Sequence, residues 1–315
     1  MHQRTSNSFL QHTYSHRGFT LIELSIVLVI IGLIIGGITV GSQLLHNAKL
    51  ISIVSDAEEI RSHMLSFKDK YEYLPGDFPH ATSIWPAMSG TEACDDSGNA
   101  EALQVSTTPV AATCDGRGNG VLGSTFTDGA QFSNASNTDL REWRERFYVW
   151  QHLALAGLID GTYSGYPSAS EMIDIGGNNT VITDDVIATV GINIPAAGLE
   201  TLGFRIEYST SRNSTINTAI QFPPQGSFGH VFSWSHPYTT VSVTTANTGN
   251  EQESLLSSID ARSIDKKFDD GLPYSGNIFA SNFSLTTLNC VDNATQQYVL
   301  ITEEPCGQYM RNFLE

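Results

Sequence analysis

The chain has 315 residues, a length for one large domain or two small ones, and 40% of them are apolar, enough for a core. Thirty-three acidic against 16 basic side chains leave a formal net charge of −17. No basic stripe interrupts that acidity, which excludes nucleic acid as a partner. The first predicted element lies in "HRGFTLIELSIVLVIIGLIIGG", residues 16–37. From Leu24 to Gly41 eighteen residues carry no charge, close to the length that crosses a bilayer. Gly32, Gly36, Gly37 and Gly41 would weaken a soluble helix but are common in membrane helices. Arg4 and Arg17 precede the run and the next base is Lys49, so the positive-inside rule expects a cytoplasmic N-terminus and an external bulk. The following residues, "SQLLHNAKLISIV", offer no small-residue cleavage site, which leaves a plain signal anchor as the first reading. Glu23 does not fit it, because a carboxylate in hydrocarbon costs about 3 kcal/mol or more.

Over Gly18–Ile31 the sequence resembles, nearly letter for letter, the start of type IV prepilins and of the pseudopilins of type II secretion. The shared features are a short basic leader, a Gly before a Phe, T-L-I-E-L and an unbroken apolar run. The resemblance implies that a prepilin peptidase removes residues 1–18 by cutting between Gly18 and Phe19, and that the same enzyme N-methylates Phe19. Glu23 becomes the fifth residue of the mature chain, and in this family that carboxylate faces the terminal ammonium of a neighbouring subunit. The physics agrees. A buried carboxylate that meets a cation is partly compensated, and here only another subunit supplies the cation, so docking in register is favoured. The implied partners are the peptidase, other pilin or pseudopilin subunits and an inner-membrane assembly platform.

The helix is expected to run from Phe19 to Lys70, with residues 19–45 as its transmembrane and filament-core half and 46–74 as its amphipathic half. Leu50, Ile53, Val54, Ala57, Ile60, Met64, Phe67 and Tyr71 follow one another at helical spacing, and charged residues take the other positions. Pro75 and Gly76 in "YLPGDFP" stop it.

Residues 75–315 are expected to form an extracytoplasmic head. In its loop-rich first part, "CDGRGNGVLG" sets Asp115, Arg117, Asn119 and Gly120 at the spacing that opens a calcium loop. Arg117 replaces an acid and Phe126 stands where the closing Glu belongs, so an Asp/Gly/Asn-rich turn is the commoner explanation. Calcium at Asp115 and Asn119 is the one cofactor the sequence raises; the calcium site of some pseudopilin heads does not map onto this motif. Residues 138–160 then carry Leu140, Trp143, Phe147, Trp150, Leu153 and Ala154 at helical steps, a second helix with an aromatic core stripe, Gly157 near its end and His152 as an incidental neighbour. Residues 181–250 alternate Val, Ile, Thr, Phe and Tyr with polar residues, expected as an antiparallel sheet of roughly four to six strands. Ser257 and Asp260 offer a capping box for a helix over Ile259–Phe268, and "DDGLPYSG" turns the chain into two final extended pieces.

Cys94, Cys114, Cys290 and Cys306 fall into local pairs spaced 20 and 16 residues apart, without CxxC spacing. Outside the cytoplasm an even count reads as two disulfides, and local pairing is the simplest of three connectivities. "YLPGDFPHATSIW", "WQHLALAGLIDGTY" and "IDKKFDDGLPYSG" are similar to stretches of large prepilin-like proteins of Gram-negative bacteria. No hydrolase, zinc-protease or P-loop motif occurs. His230 and His236 read as surface or sheet-packing residues, and Asp269–Asp270 as a helix-ending turn. The reading is thus an α+β, pilin-like subunit and not an enzyme, held in the inner membrane by one span before joining a filament. A mature chain of 297 residues favours a minor pilin or a pseudopilin over a bulk pilin, because a large head crowds a continuous filament. The large pseudopilin that caps the secretion pseudopilus lacks the glutamate, so Glu23 argues against that role. The alternative is a signal-anchored periplasmic enzyme or binding protein that never enters a filament.

Overall fold

A computed structural model describes residues 20–88, 94, 111–123, 138–166, 172–173, 181–182, 189–198, 202–209, 229–235, 256–282, 290–292, 294–300 and 305–314. The chain divides into two compact units, residues 1–48 and 49–315. Helix α1, Leu21–Tyr71, contributes to both. In the first unit it is the one helix among the described residues long and apolar enough to cross a membrane. Every described side chain there is exposed, from Leu21 to Leu45. Its few hydroxyls are satisfied within the helix: Ser25 donates to the Ile22 carbonyl, Thr39 to Gly36 and Ser42 to Thr39. These hydroxyls therefore do not need water, which hydrocarbon does not provide.

In the second unit the same helix turns amphipathic. Leu50, Ile53, Val54, Ala57, Ile60, Met64 and Phe67 are its buried residues, the stripe read from the periodicity. Past Tyr71 the chain breaks off as expected, and the short helix α2, Ala81–Ile84, follows. Helix α3, Thr138–Leu155, closes with Leu158 N–H on the Leu153 carbonyl and Gly157 N–H on Ala154, with Gly157 at φ 70°. That is the left-handed stop the sequence placed there.

The strands are β1 Met172–Ile173, β2 Val181–Ile182, β3 Ala196–Ala197, β4 Leu202–Ser209, β5 Gly229–Ser235, β6 Leu256–Ser257, β7 Ile278–Asn282, β8 Val291–Asp292, β9 Gln297–Tyr298 and β10 Pro305–Met310. Six of them form the antiparallel main sheet in the order β3-β4-β5-β10-β6, with β7 paired to β10. The last strand in sequence thus lies at the middle: Gln308 faces Trp234 on β5 and Ala280 on β7. Helix α4, Ser258–Phe268, starts directly after β6, with the Ser257 hydroxyl accepting from Asp260 N–H.

Two expectations change. Among its described residues the stretch "TVITDDVIATVGINIP" gives β2, and its end, Thr189–Ile194, is a tight turn closed on the Thr189 carbonyl. Second, α3 is no half-buried stripe: every residue from Arg144 to Leu153 is buried, the charged ones included. One core joins the α1 stripe, Trp150 and Leu153 of α3, and Phe204, Phe232 and Trp234 of the sheet. Phe232 stacks on Phe313 at 4.2 Å and meets Trp150 edge-on at 6.3 Å.

Candidate functional site

At the start of α1 the sequence Thr-Leu-Ile-Glu closes on itself. Glu23 Oε2 accepts from Thr20 N–H and from Thr20 Oγ1, both at 2.8 Å, and Glu23 N–H donates back to Thr20 Oγ1 at 3.3 Å. This is a reciprocal capping box, which satisfies otherwise orphaned N–H groups of the first turn. Both bonds to the carboxylate use Oε2. The S/T-x-x-E spacing that announces a capping box stands in the sequence at Thr20 and Glu23. Gly18 and Phe19, the expected cleavage and methylation positions, lie outside the described residues.

The stretch with calcium-loop spacing is built around an acid outside it. Asp77 is fully buried, and its carboxylate accepts from Asn119 N–H at 2.9 Å and Gly120 N–H at 2.7 Å. Gly118 and Gly120 hold φ values of 72° and 81°, which lets successive N–H groups turn inward. Burial keeps the Asp77 carboxyl above its usual range despite these donors. Asp115 points elsewhere, accepting from Thr82 N–H and Oγ1 at the start of α2, and Asn119 Oδ1 accepts from Val121 N–H. Phe126 lies outside the described residues.

His152 is no incidental neighbour. It is fully buried, and its Nδ1 accepts from Gly76 N–H at 2.9 Å, so Nε2 carries the proton and donates toward Thr113 Oγ1 and the Cys114 carbonyl. Beside it, Gln151 Nε2 donates to the carbonyls of Ala112, Tyr163 and Ser164. Helix α3 thereby ties together three chain segments that have little regular structure of their own. Nothing in local periodicity reveals this, because the partners lie 12–76 positions away.

The cysteines lie in two local pairs at disulfide distance, Cys94 with Cys114 and Cys290 with Cys306, at Cα separations of 5.5 and 5.2 Å. Among the described residues, Asp265, Asp269 and Asp270 form the carboxylate group close enough to share an ion. Each is engaged inside the protein: Asp265 accepts from Gly271 N–H and the Tyr298 hydroxyl, Asp269 from Asn277 and Ile278 N–H, and Asp270 from Leu272 N–H and the Ser275 hydroxyl. They end α4 and start β7, as the turn reading expected. His230 packs in the sheet against Tyr208, ring centres 4.9 Å apart, and His236 lies outside the described residues.

These features define an α+β protein of pilin-like architecture and fit a membrane anchor: a long N-terminal helix with an apolar span, followed by a head built on an antiparallel sheet. Residues 14–39 match the prokaryotic N-terminal methylation motif, the prepilin-type cleavage and methylation signal. No curated protein and no solved structure matches the chain.

Proposed function

We propose that the chain is a minor pilin or pseudopilin. A prepilin peptidase cuts between Gly18 and Phe19 and methylates Phe19, and the mature subunit enters a pilus or a type II secretion pseudopilus. The methylation motif over residues 14–39, leading into the exposed apolar half of α1, carries this reading. The inner membrane holds the subunit by that span, with the N-terminus cytoplasmic and the head periplasmic, until an assembly platform extracts it.

Glu23 has two successive partners in this scheme. In the stored subunit its Oε2 closes the capping box with Thr20. On docking, Oε1 meets the Phe19 ammonium of the neighbouring copy, a charge pair made in a medium of low dielectric, where it is strong. The carboxylate is therefore never a bare charge in hydrocarbon, and register is set by the one place where both needs are met. The protein's work is structural, and its partners are copies of its own kind.

Mass spectrometry of the mature N-terminus tests the first step, with methyl-Phe19 expected. An intact Met1 in cells with active prepilin peptidase would instead favour an anchored periplasmic protein. Glu23→Ala is expected to lower incorporation into filaments at least tenfold while leaving the melting of the head unchanged, because a charge pair of that kind supplies roughly 1.4 kcal/mol or more. Normal incorporation of that variant would refute the register role.

A further inference from the structure

The two cysteine pairs sit in different chemical settings. Cys290 and Cys306 are both sealed, at 0% and 2% exposure. Cys114 is equally sealed at 2%, but its partner Cys94 is only half-buried. The buried sulfur, Cys114 Sγ, lies 3.3 Å from the Tyr166 hydroxyl. A disulfide sulfur has no proton, so Tyr166 is the donor. Behind Tyr166 stand Tyr148, its ring edge-on at 6.0 Å, and Arg144, whose guanidinium lies 5.8 Å from the Tyr166 ring centre. Tyr148 and Tyr166 pack with Cys114 in a small cluster separate from the main core. A hydroxyl donor on the sulfur with a cation close behind it does little for a neutral disulfide. It strongly favours a thiolate.

The backbone around Cys114 is also held without the bond. Thr113 N–H donates to the Pro86 carbonyl, Met88 N–H to Thr113, and Thr113 Oγ1 to Gln151. Cleavage therefore leaves Cys114 in place.

We propose that Cys94–Cys114 is a thiol-exchange site, attacked at Cys94 by an external dithiol, with Cys114 as the leaving thiolate received by Tyr166. The incoming thiolate forms a new S–S bond to Cys94 Sγ, and the electron pair of the old bond departs on Cys114 Sγ. The second thiol of the reagent then attacks its own sulfur in the mixed disulfide and frees Cys94 as a thiolate. The dithiol is oxidised by two electrons and the protein pair reduced. Run backwards, the same path lets an oxidised dithiol protein install the bond. Cys290–Cys306, with both sulfurs covered, stays closed throughout. None of this depends on filament assembly.

The test uses the full chain in detergent micelles, treated with glutathione or with dithiothreitol, quenched by alkylation and mapped by mass spectrometry. Glutathione is expected on Cys94 alone, and dithiothreitol is expected to open Cys94–Cys114 at least tenfold faster than Cys290–Cys306, with near-ultraviolet circular dichroism retained. Tyr166→Phe keeps the ring and removes the donor. It is expected to slow opening of the first pair roughly three- to tenfold, the effect of losing one hydrogen bond to a thiolate leaving group, and to leave the second pair unaffected. Glutathione on Cys114, equal opening of both pairs, opening only as the dichroism collapses, or an unchanged rate in a folded Tyr166→Phe protein would each overturn the proposal.

Discussion

Glu23 looked like a defect in a membrane segment, and the capping box explains why the isolated helix tolerates it. One carboxylate oxygen serves two donors of Thr20, and Thr20 Oγ1 serves Glu23 N–H in return. The threonine is thus as much a part of the arrangement as the acid. Thr20→Val keeps the side-chain shape and removes the hydroxyl. An N-cap of this kind contributes about 1 kcal/mol. The variant should therefore exchange the Leu24 amide, which bonds to the Thr20 carbonyl, roughly fivefold faster in micelles. Hydrogen exchange followed by fragment mass spectrometry reads this directly. An unchanged rate would mean that the cap contributes nothing to the first turn.

Between secondary-structure elements, what the sequence revealed depended on whether each element carries its own reason to form. The α1 stripe and the Ser257 cap of α4 are local signals, periodicity and a hydroxyl at the right offset, and both were legible. So was the sequence at the start of α1, as processing signal and span, although its capping role was overlooked. The full burial of Arg144, Glu145, Gln151 and His152 was not legible, because the backbone groups that bond Glu145, Gln151 and His152 lie far away in sequence. Glu145 Oε1, for example, accepts from Arg117 N–H. Nor did "PCGQYM" show that it would occupy the middle of the sheet, since it lacks strict alternation and is placed by its pairings with β5 and β7. The loop around Asp77 depends on such non-local contacts. A Cβ on Gly116 would meet the backbone of Asp77 and the Gly76 carbonyl, which cannot rotate away as a side chain would. Gly116→Ala should force the loop off Asp77 and cost about 1–3 kcal/mol in a denaturant titration, with the midpoint lowered and the slope unchanged. Its partner Gly120, whose Cβ would meet nothing, sets the contrast: there only the backbone conformation resists substitution.

Taken as one body, the head should respond to pH through buried groups that do not pull the same way. Burial holds His152 down to about 4, and burial with the nearby Lys68 charge does the same to His230. Unfolded, each imidazole titrates near 6.5. Between about pH 4 and 6.5 the unfolded chain therefore binds protons that the folded chain refuses, so stability is present above 6.5 and falls as pH drops through that window. Asp265 acts in the opposite sense. Burial raises it to about 6, against the Tyr298 and Gly271 hydrogen bonds that lower it and with Asp270 and Asp269 adding to the rise. Its protonated form is favoured by folding, so its contribution is present below about 4 and is lost as pH rises toward 6. Asp77, also held above its usual range by burial, acts in the same sense as Asp265, so the histidines and the aspartates oppose one another across this range. His230 offers a clean way to separate the terms. Its Nε2 is buried and has no hydrogen-bond partner among the described residues, while its ring contact to Tyr208 needs only an aromatic. His230→Phe should leave stability at pH 8 within about 1 kcal/mol of the parent, since it removes an unsatisfied nitrogen and no bond. At pH 5 it should be the more stable protein, by about 2 kcal/mol, because it no longer has a proton to refuse. Denaturant titrations at the two pH values measure both differences. Equal loss at pH 8 and pH 5 would mean that His230 is charged, or bonded, in the folded head.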